Sequence, residues 1–212
     1  MNPLFKKIYI IYEDENVVVI DKPSSLVVTP GPGHDEGVTI VGWLIERYGE
    51  AIREACVEGH RPGIVHRLDK ATSGVMICAK NIETLHYLID QFKSRTVEKQ
   101  YEALVWGDIT QHPLLRRTQS DSFTIDAPIG RNPKNRMRMA IVEDGKPAIT
   151  EIQCKYTETI GEEIISRVVC TPRSGRTHQI RVHLASMGYG IVGDMLYQSS
   201  GKEKKYKLLV RQ

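Results

Sequence analysis

The sequence predicts an α+β fold with a mixed, largely antiparallel central sheet and flanking helices, built as a single domain over residues 1–212. Three observations carry this. Short apolar runs with period-two alternation recur along the chain, two of the longest are separated only by the turn sequence "IGEE", and amphipathic helical segments are interspersed among them. Strands joined by a tight turn pair antiparallel, whereas parallel strands need a crossover of about a dozen residues or more.

Taken in order, "NVVVIDKPSSLVVTPGPG" reads as a strand, a Pro-Ser-Ser turn, a second extended run and a glycine-rich loop. "VTIVGWLIERYG" has helical apolar spacing and ends at Gly49, a C-cap. "RPGIVHRLDKATSG" follows, with a turn, an apolar pair, and then His66, Arg67, Asp69 and Lys70 crowded ahead of the short buried strand "VMICAK". "NIETLHYLIDQFKSR" is an amphipathic helix capped by Asn81. "KQYEALVWG" alternates as a strand, with Tyr101, Ala103 and Val105 on one side. "PAITEIQCKYTET" and "EIISRVVCTP" form a long hairpin around "IGEE". "GRTHQIRVHLASMG" fits both periods. Ile180, Val182 and Leu184 alternate, while Ile180, Leu184 and Met187 are helically spaced; a cap at Thr177 and a stop at Gly188 favour the helix.

With 41% hydrophobic and 26% charged residues the chain is globular rather than disordered or fibrous. "MNPLFKK" lacks the apolar region of a secretory signal, and runs such as "IYIIY" are too short to span a bilayer, so no membrane role and a cytoplasmic location are expected. The four cysteines lie far apart with no CxxC pair, which argues against a zinc site or a disulfide framework. Charge is uneven. Residues 1–60 carry a net −5 and residues 61–212 a net +8, and the basic two-thirds suits an anionic partner such as nucleic acid.

Other chemistries fit poorly. "GPGHDEG" lacks the Lys-Ser/Thr of a phosphate loop, and no Gly-x-Ser-x-Gly elbow is present. A metal-dependent hydrolase would draw on His66, Asp69, His178 and His183, but their spacings match no zinc pattern and arginines stand close to them. No metal and no cofactor are expected.

"HRLDKATSG" after "RPGIV", then "EKQYEALVWG", then "RSGRTHQIRVHLASMGYGIVGDMLY", together resemble the motifs of the RluA family of pseudouridine synthases in their usual order. "YEDENVVVIDKPSSLVVTPGPG" is similar to that family's first motif and "TIDAPIGRNPKNRMRMAIVEDGKPAITE" to its middle region, so the resemblance covers nearly all the chain. It implies a pseudouridine synthase-like fold and an enzyme that isomerises uridine in structured ribosomal or transfer RNA, acting as a monomer with RNA as its partner. The uridine swings out of its stack. Its bond from ribose C1′ to uracil N1 breaks, and C5 attaches instead. One carboxylate suffices, because a second to activate water would favour hydrolysis.

The resemblance also assigns roles. Asp69 matches the catalytic aspartate, and Arg181 the basic residue that pairs with it; a nearby guanidinium favours the charged carboxylate. Tyr101 matches the tyrosine that packs on the target base. Arg67 matches the arginine that fills the gap left by the flipped uridine. The basic run "RNPKNRMR" supplies Arg131, Lys134, Arg136 and Arg138 for phosphate contacts. Thr72, Ser73 and Gly74 read as turn fixtures and Asp194 as a structural hydrogen-bonding residue. The chain departs from its relatives in three places. Only about a dozen residues precede the first motif, so no RNA-binding module is expected ahead of it. "DKPSSLVVTP" stands where an Ala-Gly pair and a His before the Pro are common, and the chain stops at "KLLVRQ", short of the final strand relatives carry.

Overall fold

The alternation in "VVVIDK" sets the first sheet. In β2 (Val17–Lys22) the residues Val18, Ile20 and Lys22 are buried and their neighbours half-buried. This strand lies between β1 (Tyr9–Glu13) and β3 (Gly74–Ala79), antiparallel to both. The computed structural model describes residues 3–31, 38–56, 61–197 and 210–211. The chain divides into two compact units, Met1–Val97 and Glu98–Gln212.

In the first unit, α1 (Ile40–Tyr48) begins where Thr39 Oγ1 accepts from Gly42 N at 3.0 Å and ends at Gly49, whose φ of 72° is the left-handed cap expected of a glycine there. Asn81 caps α2 (Ile82–Lys93) through Thr84 N at 2.8 Å. The second extended run expected after the Pro-Ser-Ser turn is not a strand. Ser25 turns the chain with φ 77°, and Val27 makes a single parallel bridge to Thr39. Most of the glycine-rich loop, residues 32–37, lies outside the described residues.

The second unit holds a five-stranded antiparallel sheet in the order β10-β4-β9-β8-β5, from β4 (Tyr101–Trp106), β5 (Ser122–Asp126), β8 (Ile149–Ile160), β9 (Glu163–Pro172) and β10 (Val210–Arg211). The predicted long hairpin is β8–β9, closed at Gly161 with φ 64°, and its ladder shifts register between Cys154 and Tyr156. β10 pairs antiparallel with β4, Val210 opposite Ala103 and Arg211 opposite Glu102. A short helix α3 (Pro113–Thr118) covers part of the sheet, and β6 (Ile129–Arg131) and β7 (Met139–Ile141) form a separate two-stranded hairpin.

The ambiguous segment is a helix, α4 (Gln179–Ser186), stopped at Gly188 with φ 85°. Its cap differs from expectation. The N-cap is His178, in the left-handed region at φ 57° and without a side-chain cap bond, so Thr177 does not start the helix. The mixed periodicity has a packing cause. Ile180 and Leu184 enter the core of the large sheet beside Val105, Ile152 and Val168, whereas Val182 packs with Ile129 and Ala148 at the base of the β6–β7 hairpin. Burying each such side chain contributes about 1.5–3 kcal/mol, so a helix covered on two sides keeps apolar residues that also happen to alternate. Among the described residues no helix is long and apolar enough to cross a membrane.

Candidate active site

The turn carrying Asp69 is fixed from several directions. Gly63 starts it at φ 69°, and a Cβ there would meet Ala79 O at 2.6 Å, so the "RPG" turn requires glycine. Gly63 N donates to Ala55 O at 2.7 Å, and Ala79 N to Gly63 O at 2.9 Å. His66 accepts from Ile77 N at 3.2 Å through Nε2 and stacks on Phe92 with ring centroids 4.8 Å apart. Leu68 is buried between exposed Arg67 and half-buried Asp69. Beyond them Thr72 N closes the turn onto Asp69 O at 3.1 Å, consistent with the fixture expected of Thr72, and Gly74 opens β3 opposite Lys22.

The Pro-Ser-Ser turn docks on the same segment. Ser25 N donates to Lys70 O at 2.7 Å, and Ser24 Oγ to Ala71 O at 3.0 Å. Beneath them lies Lys22, fully buried, its ammonium donating to Pro23 O and Leu26 O, each at 2.9 Å. Burial pulls its pKa down to about 8, and the charge of Asp69 opposes that pull. Lys22 is a buried neighbour of the Asp69 turn that was not among the residues singled out from sequence. The signal was present: Val18, Ile20 and Lys22 share one phase of the strand, so a buried lysine was readable from the alternation.

In the second unit Tyr101 begins β4, half-buried against the sheet core and opposite Cys170. Arg181 stands on the first turn of α4, a helix held in place by polar contacts. Gln179 Nε2 donates to Ile149 O and Thr150 Oγ1, both at 2.9 Å, and His183 Nδ1 lies 2.9 Å from Thr150 Oγ1 with Nε2 3.0 Å from Ala127 O. Burial lowers the pKa of His183, and both ring nitrogens are committed to protein partners, so it is a packing residue and no metal ligand. Arg181 forms a two-pronged ion pair with Asp194, Nε to Oδ2 at 2.8 Å and Nη2 to Oδ1 at 3.0 Å, and the Asp194 side chain is only 1% exposed. Asp194 also accepts from Leu196 N and Tyr197 N. Asp194 is therefore an ion-pair partner of Arg181 within the second unit, in addition to the hydrogen-bonding role read from sequence.

The basic run forms the tip of the β6–β7 hairpin. Asn132 Oδ1 accepts from Lys134 N and Asn135 N, and Asn135 Oδ1 from Met137 N, so asparagines shape the tip. Arg131, Lys134 and Arg136 are exposed there. Arg138 differs: it is half-buried, and its Nε has no hydrogen-bond partner among the described residues. Asp69 and Arg67 thus belong to the first unit, and Tyr101, Arg181 and the hairpin to the second.

The family model described as "RNA pseudouridylate synthase" matches residues 16–186, from the start of β2 to the end of α4. The chain belongs to the RNA pseudouridylate synthase family. Among its relatives is a Chloroflexus aurantiacus protein named as an uncharacterized RNA pseudouridine synthase, 42% identical over 91% of this chain and 54% of the relative. A Pseudomonas aeruginosa relative named ribosomal large subunit pseudouridine synthase D is 42% identical over 89% of this chain and 52% of its own length. The chain spans about half the length of the curated relatives it matches. The solved structure of human RNA pseudouridylate synthase domain containing 1 superposes with a TM-score of 0.76 at 27% identity, covering 98% of this chain and 77% of that one. Membership in the synthase family agrees with the α+β fold and with the RluA-type motif order.

Proposed function

We propose that this chain isomerises uridine to pseudouridine in large-subunit ribosomal RNA, with its 212 residues acting as one catalytic domain and Asp69 as the carboxylate nucleophile. One observation carries the reading: within the span that matches the synthase family, a half-buried carboxylate stands on a pinned turn above a buried lysine. The choice of ribosomal RNA rests on relatives at 40–42% identity that are named ribosomal large subunit pseudouridine synthase D.

In this reading the N1–C1′ bond breaks with its electron pair passing to the uracil ring, while the Asp69 carboxylate covers C1′. The ring turns, C5 bonds to C1′ as the carboxylate departs, the C5 proton is lost and N1 gains one. Nothing is oxidised and no water is consumed, so the chemistry calls for no cofactor. Tyr101 packs on the base, and Arg181 contributes positive charge to the reaction. Arg67 takes the vacated place in the RNA stack, offsetting a flipping cost of a few kcal/mol. The hairpin cations meet phosphates.

Asp69→Asn keeps the shape of the side chain and removes the nucleophile. The variant should release no tritium from ribosomal RNA transcribed with C5-tritiated uridine, while its affinity for the same RNA stays near that of the wild type. Turnover by the variant would sink the assignment.

A further inference from the structure

Tyr197, which no motif match assigns a role, touches four separate parts of the second unit. Its hydroxyl accepts from the backbone N–H of Met139 at 2.8 Å, on the strand that returns from the basic hairpin tip. That same hydroxyl lies 2.7 Å from His178 Nδ1. The phenol can donate to that nitrogen or accept from it according to the imidazole tautomer, and in either case the hydroxyl joins the hairpin backbone to the His178 ring. Its ring lies under the Arg181 guanidinium, 4.9 Å from centroid to Cζ, and its backbone N donates to Asp194, the ion-pair partner of Arg181.

His178 adds an independent sign. It is a non-glycine residue at φ 57°, and it is the N-cap of the helix that carries Arg181. Such a conformation persists where neighbours over-determine it, and it gathers at functional sites. The carbonyl of His178 accepts from Val182 N at 2.9 Å, so its pose sets the first turn of α4. Its ring meets Tyr197 through the Nδ1–hydroxyl contact and an edge-on ring packing at 5.5 Å.

We infer that Tyr197 is a positioning residue that fixes the distance between the phosphate-binding hairpin and Arg181, so that RNA seated on the hairpin presents its uridine in register with the reacting groups. The inference rests on the proposed isomerisation and adds a specific part to it. A structural role alone would need the ring and its packing against the Ile129, Ala148 and Val182 cluster; positioning needs the hydroxyl, which ties hairpin to helix.

Tyr197→Phe keeps the ring and removes only the hydroxyl. Hydrogen exchange at the Met139 amide should quicken by about tenfold on losing its acceptor. On C5-tritiated large-subunit ribosomal RNA, kcat should fall by about tenfold, since a small misplacement is costly in an oriented site, with RNA affinity nearly unchanged. In a background carrying Arg131→Ala, Lys134→Ala and Arg136→Ala, the same change should cost less than about threefold, because the RNA is no longer indexed by the hairpin. All rates are taken at a temperature where circular dichroism shows each variant folded, so a fall in kcat reports position. A Tyr197→Phe kcat within about twofold of wild type overturns the inference, as does a loss of equal size in the two backgrounds. Absence of product from the wild type would instead sink the proposed reaction.

Discussion

Arg181 places a guanidinium on the first turn of a helix, the end where the macrodipole disfavours a cation, with its side chain only 13% exposed. Asp194 compensates for both penalties, and it too is buried. Arg181→Met should therefore lower stability by about 3 kcal/mol in urea unfolding, the low end for breaking a buried pair, because Asp194 keeps two backbone N–H donors. Adding Asp194→Asn should return about 1–2 kcal/mol, since the second change removes a charge that has lost its partner. Losses that simply add would show that the two side chains are energetically independent. At this scale the sequence was legible where a residue's role is local, as with Thr72, which closes a turn onto Asp69, and Asp194, which accepts from Leu196 N and Tyr197 N. It was opaque where a contact joins residues distant along the chain. Tyr197 meets residues 58 and 19 positions away, and no local pattern reports such pairs.

The β6–β7 hairpin gives the element-scale test. Arg131, Lys134 and Arg136 stand exposed on a tip shaped by Asn132 and Asn135, so the phosphate contacts proposed for them would act through counterion release. Replacing the three by Ala should make the slope of log affinity against log salt shallower by about 2 units. A slope that does not move would take the tip off the RNA. Arg138, grouped with them by sequence, should behave differently, because its partly buried stem makes Arg138→Ala a packing change seen in the melt. Element boundaries were readable wherever a cap was local, as at Asn81 and Gly49. They were not at α4, where tertiary contacts hold His178 in a conformation that no propensity predicts.

Over the whole molecule, burial of ionisable groups shapes stability against pH. His183 has its pKa lowered from 6.5, so the unfolded chain takes up a proton that the folded one refuses, and stability falls as pH drops through that region. Glu13, held at about 2 first by Arg47 and then by Tyr48, adds a second acid-side loss as pH falls from 4.5 towards 2. On the alkaline side two effects oppose each other. Lys22 titrates near 8 when folded and near 10.5 when unfolded, so its burial penalty lifts as pH rises between those values. Cys78, pushed up to about 12, keeps its proton while the unfolded thiol loses one above 9, and this lowers stability over part of the same range. Comparing the wild type with Lys22→Met at each pH cancels the thiol. The wild type should gain on the variant by up to about 3 kcal/mol between pH 7 and pH 10.5. A constant difference across that range would mean that the buried ammonium keeps its proton throughout.

The register shift in β8 has a consequence for chain length. Cys154 pairs with Val168, Tyr156 with Arg167 and Thr157 with Ser166, so Lys155 is one residue more than the ladder needs. Its deletion would join Cys154 to Tyr156 with every other pairing kept and each side chain on its present face. Removing Gln153 instead would move Cys154 and Lys155 one place along the ladder and onto opposite faces, setting Lys155 where Cys154 packs on the core. The deletion of Lys155 should therefore melt close to the wild type and that of Gln153 far below it, and equal melts would deny the strand this slack. One position of the longest strand can thus be lost or regained without disturbing the core beneath it.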